Sequence, residues 1–376
     1  MQASRRGFLA GSAALSGLAG AAPVQALVPA RTAGVTTNFG PAPGIALLSR
    51  NENPYGPAPS AVAAIADTAV KGCYYANGGV SRLTAMIAER HGVMPSQVVL
   101  GSGSTEILCA IALAWGAKGQ IICPDLFWDT TVKYAVSKGA TSDVRVSLTS
   151  DMQVDVSGMG AAFNDGVSLV QICNPNNPTG MVVPQAAIRD LAMKVTPTAT
   201  LLLDEAYNEL TDNPEGNSVI DLVRAGHDVI VCRTFSKIYG MAGMRVGYAI
   251  TSEENAALIS SYLMSFGGNV SGLAGAIAAY DDTGFLDRSK AAILEGRQMI
   301  LDAVATAGLT ALPSETNFVF VEVPDAEKVR AAMEARGILI RGAYGQWTQY
   351  SRVSCGLLPD VERYAKALPE VIDSIA

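Results

Sequence analysis

The sequence predicts an α/β fold in which a mostly parallel sheet is flanked by helices and a smaller α+β region follows. Six short apolar runs between residues 98 and 250 alternate with segments of helical periodicity. Several of these runs are apolar throughout, which is typical of strands covered on both faces. After residue 286 the pattern changes to helices with two or three separate strands. These observations together predict a sheet with helices on both faces, followed by a smaller α+β region.

The composition fits a large enzyme without a metal centre. The chain has 376 residues, is 49% hydrophobic and carries a formal net charge of -7. This modest charge argues against a nucleic-acid partner. The six cysteines are scattered singly, and His91 and His227 stand in segments without metal-ligand spacing. We therefore expect the four cysteines in apolar runs, Cys109, Cys123, Cys173 and Cys232, to be buried, unpaired thiols, and we expect no metal.

The N-terminal residues have the order of a twin-arginine export signal. Arg5 and Arg6 are followed by Phe8, Leu9 and an apolar stretch rich in glycine, alanine and serine. That stretch is too short and too glycine-rich to span a membrane. Residues 1–26 are therefore predicted to be a signal and the protein to be periplasmic. The alternative is a cytoplasmic protein with an accidental arginine pair.

The remaining chain divides into three predicted parts. Residues 27–60 form an N-terminal arm, residues 61–286 a large domain and residues 287–376 a small C-terminal domain. The strands of the large domain are expected at 98–100, 121–123, 167–173, 200–203, 229–232 and 246–250. A long helical pattern over 252–286 leads into the small domain, whose strands are expected at 317–323, 338–341 and 351–354.

A turn of small residues, Gly-Ser-Gly-Ser-Thr-Glu at 101–106, follows the first predicted strand and opens a helix. Free amide groups at a helix start favour a bound phosphate, and small residues let the backbone approach it. A simple capped turn is the alternative.

Asp204 stands at the end of the apolar run 200–203. A buried carboxylate is costly unless it is paired, and a protonated pyridine nitrogen would be such a partner. The alternative is a helix N-cap. Tyr207 can reach the same side, and Asn177 lies in a rigid proline-containing turn after another predicted strand.

Lys237 follows the apolar run 229–232 in apolar surroundings. Such surroundings lower the pKa of an amine, as imine chemistry requires. Ser236 and Arg245 lie where a hydroxyl and a guanidinium can bind one phosphate. A lone lysine here would usually be a solvated surface residue, but the neighbouring residues of 233–245 favour a reactive one.

Seven motifs in order resemble the fold-type I aminotransferases that use pyridoxal 5'-phosphate (PLP), and are most similar to the histidinol-phosphate aminotransferase branch. The resemblance covers residues from about 45 to the C-terminus. The motifs are Asn-Glu-Asn-Pro-Tyr-Gly-Pro (51–57), the turn at 101–106, Asn-Asn-Pro-Thr-Gly (176–180), Asp-Glu-Ala-Tyr (204–207), Arg-Thr-Phe-Ser-Lys (233–237) with Gly-Met-Arg (243–245), Ser-Glu-Thr-Asn-Phe (314–318) and Ser-Arg-Val-Ser (351–354).

The resemblance implies PLP as cofactor and a role for each matching residue. Lys237 would bind the cofactor covalently and move the proton during transfer. The groups around the cofactor would be Ser102, Gly103, Ser104, Asn177, Asp204, Tyr207, Ser236 and Arg245. Arg352, Arg341 and Asn317 would surround the substrate. Tyr55 would reach the site of a neighbouring subunit, which implies a homodimer with shared active sites.

One position departs from the family pattern, in which an aromatic residue stacks on the cofactor ring. Here Pro124 is followed by Asp125, Leu126, Phe127 and Trp128. The simplest alignment places Leu126 there, whereas a shifted loop would let Phe127 or Trp128 stack. We take Trp128 as the stacking residue.

The resemblance implies a ping-pong aminotransferase that acts on an amino acid or an amino phosphate and a 2-oxo acid acceptor. A PLP-dependent decarboxylase, racemase or lyase is the alternative, because one cofactor-bound substrate can lose different bonds. Histidinol phosphate is a cytosolic intermediate, so the export signal leaves the substrate open.

Overall fold

The computed structural model of the protein describes residues 39–265 and 267–375. The predicted export signal and the first part of the predicted arm lie outside the described residues. Pro41–Ala376 forms one compact unit. Among the described helices, none combines the length and the apolar character needed to cross a bilayer.

Strands of this unit occur throughout its length. They are β1 (Ala46–Leu48), β2 (Val98–Gly101), β3 (Gln120–Pro124), β4 (Asp143–Val146), β5 (Val167–Cys173), β6 (Thr200–Asp204), β7 (Val229–Thr234), β8 (Gly247–Ile250), β9 (Thr310–Ala311), β10 (Phe318–Glu322), β11 (Ile338–Ile340) and β12 (Tyr350–Ser354).

Helices separate most of these strands. They are α1 (Pro59–Ala69), α2 (Asn77–His91), α3 (Ser104–Gly116), α4 (Thr130–Ser137), α5 (Val156–Ala162), α6 (Gln185–Val195), α7 (Ile220–Arg224), α8 (Glu253–Tyr262), α9 (Val270–Tyr280), α10 (Thr283–Thr306), α11 (Ala326–Glu334) and α12 (Leu358–Ile375).

A seven-stranded sheet has the order β2-β8-β7-β6-β5-β3-β4. Its pairs are parallel except those of β8, which runs antiparallel to β7 and β2. The predicted α/β class with a mostly parallel sheet is confirmed. All six predicted strands of this region are present, and the sequence reasoning missed β4. The four residues of β4 alternate in polarity at the sheet edge and are only half-buried.

Both faces of the sheet are covered, as the apolar runs indicate. In β6, Leu201 and Leu203 pack into one core cluster, while Leu202 packs into a second cluster with helix α3. Successive side chains of a strand point to opposite faces of the sheet. When both faces are covered, every side chain is buried and the strand is apolar throughout.

The prediction of one long helical pattern over 252–286 is wrong. The segment forms α8 and α9 and the start of α10. Asn269 accepts a hydrogen bond from the Gly272 amide and begins α9, and Asp282 does the same for α10 through the Phe285 amide. Two glycines before Asn269 also disfavour a continuous helix.

The C-terminal strands build two further small sheets. β10 pairs antiparallel with β12 and β9, and β1 pairs parallel with β11. The pairing of β1 with β11 brings the segment after Leu48 beside the C-terminal strands. The predicted boundary at residues 286 and 287 lies within α10, and the division into two domains stays a prediction.

Candidate active site

A cavity of about 840 Å³ lies at the carboxyl ends of the central strands, where open parallel sheets bind ligands. Ten of the residues singled out from the sequence line it: Ser104, Trp128, Asn177, Asp204, Tyr207, Ser236, Lys237, Arg245, Arg341 and Arg352. Among the described residues, the cavity lining does not include Ser102, Gly103, Asn317 or Tyr55.

Lys237 follows β7, and its amine points into the cavity. Its Nζ donates a hydrogen bond to the Asn51 carbonyl at 3.1 Å. Burial lowers the pKa of the amine to about 8, and Arg352 adds to this effect, whereas Glu52 and Asp204 oppose it. An amine with this pKa exchanges protons near neutral pH and is available as a nucleophile.

Asp204 ends β6 and is 4% exposed. Its Oδ1 has no hydrogen-bond partner among the described residues. Burial raises the pKa of the carboxyl to about 7, and the adjacent Glu205 contributes to the rise, whereas the Ala206 amide and Lys237 oppose it. A protonated ring nitrogen would satisfy this oxygen and hold the carboxylate in its ionised form.

Hydrogen bonds connect Tyr207 to Arg352 through Asn177. The Asn177 Nδ2 donates to the Tyr207 hydroxyl at 3.3 Å, and its Oδ1 accepts from an Arg352 Nη at 2.7 Å. The second Nη of Arg352 donates to the Ser49 carbonyl at 2.8 Å. The arrangement leaves the Tyr207 hydroxyl able to donate toward the cavity.

Backbone and guanidinium groups suited to an anion lie at the start of α3. Gly103, with a φ of 73°, precedes the helix, and no described side chain caps the helix start. Arg245 donates to the Ser102 carbonyl at 3.2 Å and passes close over Gly103, whose added Cβ would lie 2.1 Å from an Arg245 nitrogen. The Ser236 hydroxyl accepts from Thr234 at 2.8 Å and also faces the cavity.

Arg341 and Arg352 form a backbone bridge between neighbouring extended segments. Residues opposite each other in such a pair present their side chains on the same face. The guanidinium carbon of Arg341 lies 5.2 Å from the Tyr344 ring centre, and that of Arg352 lies 5.7 Å from it. The Nε of Arg352 is buried without a partner among the described residues. Two cations thus share one wall of the cavity.

Leu126, Phe127 and Trp128 all reach the cavity. Leu126 packs with Phe320 and Tyr350, and Phe127 packs in the core cluster of α3. Trp128 is half-buried, so its ring is the least committed to the core. The stacking role of Trp128 stays a prediction.

Asn317 and Tyr55 occupy supporting positions in this chain. Asn317 is fully buried and donates to the carbonyl of Asn51 at 3.0 Å. The Tyr55 hydroxyl accepts from the Leu358 amide at 3.0 Å. Asn317 therefore supports the acceptor of Lys237 from behind the cavity wall.

Asn51, the first residue of the motif Asn-Glu-Asn-Pro-Tyr-Gly-Pro, has a place in the site that the sequence did not predict. It is 1% exposed and adopts a left-handed φ of 55°. Its side chain donates to the Tyr207 hydroxyl at 3.2 Å and accepts from Ser354 at 2.8 Å. The available signal was its residue type, since asparagine tolerates this backbone conformation better than most residues.

Comparisons with known proteins agree with this geometry. Residues 43–368 match the family aminotransferase class I and II. A histidinol-phosphate aminotransferase of Thiobacillus denitrificans is 36% identical over 330 residues, which cover 87% of this chain and 85% of that protein. One from Akkermansia muciniphila is 35% identical, covering 87% of this chain and 90% of its own.

A solved structure also matches. The histidinol-phosphate aminotransferase of Sinorhizobium meliloti, in complex with pyridoxal-5'-phosphate, has a TM-score of 0.80 and 33% identity, covering 88% of this chain and 92% of its own. Three features of the site fit that cofactor: the unpartnered Asp204 oxygen, the Lys237 amine and the turn at 101–106, which we call the anion-binding turn. The protein is a PLP-dependent transaminase, and the chain belongs to the class I and II aminotransferases.

Proposed function

We propose that this aminotransferase acts on an amino substrate that carries a carboxylate or a phosphate, and passes the amino group to a 2-oxo acid. The observation that carries the proposal is the pair Arg341 and Arg352 on one wall of the cavity that holds Lys237. Guanidinium groups recognise carboxylates and phosphates through several N–H donors at once. Because relatives are named histidinol-phosphate aminotransferases, an amino phosphate is the first candidate to test.

Each side chain has a task that its position supports. PLP bound at Lys237 would supply a conjugated ring that takes up the electrons left when the α-proton departs. Asp204 would pair with the protonated ring nitrogen, and Tyr207 and Asn177 would hold the ring hydroxyl. Arg352 would fix the substrate anion with the Nη hydrogens that its bonds to Asn177 and Ser49 leave unused, while Lys237 would accept and return the proton at Nζ.

The substrate class is tested with purified protein and single amino compounds, including histidinol phosphate. We expect anionic amino substrates to remove the absorbance of the lysine-bound cofactor, and a 2-oxo acid to restore it. Arg352→Ala should weaken this conversion more than Arg341→Ala, because Arg352 is buried and Arg341 is exposed. Equal conversion of uncharged amines would contradict the proposal. Release of carbon dioxide or inversion at the α-carbon without nitrogen transfer would indicate the other reaction classes.

We propose that the protein is a homodimer with shared active sites. Tyr55 is held beside α12 and not in the cavity of its own chain. The exposed surface of the described residues also carries large apolar side chains, including Val70, Tyr74 and Met264 at 77%, 72% and 76% exposure. An apolar surface favours an interface where such side chains are contiguous, and Val70 and Tyr74 lie only four residues apart in the chain. Light scattering of the purified protein gives the mass, and a monomer at working concentration would contradict the dimer.

We propose export by the twin-arginine route, with a periplasmic location. The support is the order of Arg5, Arg6, Phe8 and Leu9 before a short apolar stretch. Cell fractionation of the full chain should find the protein outside the cytoplasm. The double variant Arg5→Lys and Arg6→Lys should retain it inside, and equal distribution of both forms would overturn the proposal.

A further inference from the structure

A buried ion pair lies directly behind the cavity, at the ends of the two strands that lead to Asp204 and Lys237. Glu205 is 1% exposed and Arg233 is 8% exposed. Two nitrogens of Arg233 donate to the same Glu205 oxygen, at 2.7 and 3.1 Å. The Ser218 hydroxyl and the Val219 amide complete the hydrogen bonds of the carboxylate. The hydrogen-bonding groups of the pair are therefore well satisfied.

The pair fixes the spacing between β6 and β7 beyond their last paired residues. That last pair is Asp204 and Cys232, and the Glu205 amide donates to the Cys232 carbonyl at 2.8 Å. Because side chains alternate along a strand, Glu205 and Arg233 lie on the face opposite to Asp204. Lys237 follows Arg233 by four residues. A change in the pair would thus move Asp204 and Lys237 relative to each other.

The pair also sets the charge next to Asp204. Burial works against the charge of Arg233, yet Glu205 and Glu209 together raise its pKa, so it stays a cation. Its Nη1 lies 3.6 Å from Glu209. His91 nearby does not supply a second cation, because burial and Arg233 lower its pKa to about 3. Without Arg233, the buried carboxylate of Glu205 would stand uncompensated next to Asp204, which is a costly arrangement in a buried site.

We infer that Arg233 and Glu205 are positioning residues of the transamination reaction. The pair holds Asp204 and Lys237 at a fixed separation, and Arg233 cancels the charge of Glu205 so that Asp204 stays ionised opposite the ring nitrogen of PLP. The role depends on the cofactor of the family and not on the substrate proposed above. It assigns a function to the first residue of the Arg-Thr-Phe-Ser-Lys motif.

The test compares Arg233→Met, Glu205→Gln and the double variant. Apo-protein is titrated with PLP, and the pH midpoint of the absorbance change of the lysine-bound cofactor is measured. R233M removes the positive charge of Arg233, which should raise the pKa of the imine between Lys237 and PLP. The pH midpoint of the absorbance change should therefore move upward. E205Q removes a negative charge and should move it downward. R233M should also bind PLP about tenfold more weakly or worse, which corresponds to about 1.4 kcal/mol.

The double variant separates charge from packing. If charge balance matters, R233M/E205Q should bind PLP at least about threefold more tightly than R233M, within the coupling usual for contacting residues. A purely structural pair would give additive losses and midpoint shifts that do not follow the sign of the lost charge, and this result would overturn the inference. The matched control is Arg189→Met, which removes an arginine bonded twice to Asp221 on the surface and should leave PLP affinity unchanged.

R233M must be checked for folding by thermal unfolding of the apo-protein. Where it does not fold, E205Q decides the question, because glutamine keeps the size of the side chain. A downward midpoint in E205Q supports the inference. An unchanged or upward midpoint overturns it.

Discussion

Asp204 is 4% exposed, and one of its carboxylate oxygens has no partner among the described residues. Its pKa in the folded chain is about 7, above its ordinary value of 3.8, because of burial. The folded state therefore binds more protons than the unfolded state between about pH 4 and pH 7. Over that window the stability that Asp204 contributes falls as the pH rises. The residue is arranged for a cationic ligand and weakens the protein that lacks one.

Asp204→Asn is therefore expected to stabilise the apo-protein at neutral pH. The slope that it removes is at most about 1.4 kcal/mol per pH unit. Urea unfolding of both apo-proteins should give equal free energies near pH 4 and a more stable variant near pH 7. The same variant should bind PLP more weakly. Asp221→Asn is the control, since Arg189 lowers the pKa of that carboxyl and its removal should not stabilise. A variant that is less stable at pH 7 would contradict the account.

Lys237 offers a second test at the scale of one residue. Burial lowers its pKa to about 8, whereas an ordinary lysine titrates near 10.4. In the apo-protein, acylation of Lys237 by an amine-reactive reagent should rise through about pH 8, because only the neutral amine reacts. Peptide mass spectrometry follows the labelling. Nα-acetyl-lysine in the same solution is the reference, because its side-chain amine has the ordinary pKa. Labelling of Lys237 that rises no earlier than that of this free amine would argue against a lowered pKa.

At the scale of elements, the anion-binding turn depends on the close approach of β8 to the start of α3. Gly247 begins β8 and pairs with Gly101. A Cβ at Gly247 would lie 2.2 Å from the Ser104 nitrogen, which is a backbone atom and cannot yield as a side chain would. A glycine is therefore required where this strand passes beneath the helix start.

Gly247→Ala should displace the start of α3 and weaken PLP binding at least about tenfold, through loss of amide contacts to the phosphate. The measurement is PLP affinity of the apo-protein together with its thermal unfolding. Gly243→Ala is the matched control in the same segment, because a Cβ there meets no atom within 4 Å. Equal affinities in the two variants would contradict the proposed role of the turn.

The elements also show what the sequence could predict. Apolar runs bounded by turn residues predicted β5 and β6 nearly to the residue, because two covered faces leave a strong pattern. The strand β1 has only three residues, which are too few to show such a pattern. Its partner β11 lies 292 residues away, so no local feature of the sequence predicts the pairing. Helix ends inside 252–286 were missed because apolar spacing continued across two side-chain caps.

At the scale of the whole molecule, the site is assembled from segments that are distant in sequence. Asn51 contacts Lys237 over a separation of 186 residues and Ser354 over 303. The family resemblance predicted which residues would gather, and nine of them line the cavity together with Trp128 from the segment that departs from the family pattern. It did not predict the contact of Asn177 with Arg352 or the support of Asn317 for Asn51. Such bonds depend on side-chain rotamers across elements, and no periodicity in the chain encodes them.

Sharing of active sites between two chains can be tested by complementation. Lys237→Ala and Tyr55→Ala should each impair a homodimer. If Tyr55 serves the neighbouring site, a mixed dimer holds one site with an intact lysine and an intact tyrosine, because the two defects fall in the other site. Differently tagged chains, purified as the mixed dimer, should then recover about half of wild-type turnover, since one of two sites is intact.

The control pair is Lys237→Ala with Asp204→Ala, whose residues line the same cavity of one chain. Each site of that mixed dimer carries one defect, so no recovery is expected. If the Tyr55 pair also shows no recovery above the mean of its homodimers, Tyr55 acts within its own chain or not at all. In that case its bond to the Leu358 amide is its function, and Tyr55→Phe should lower the thermal stability without changing PLP affinity. Recovery in the first pair and not in the second would place Tyr55 in the partner's site, a contact that a single chain does not contain.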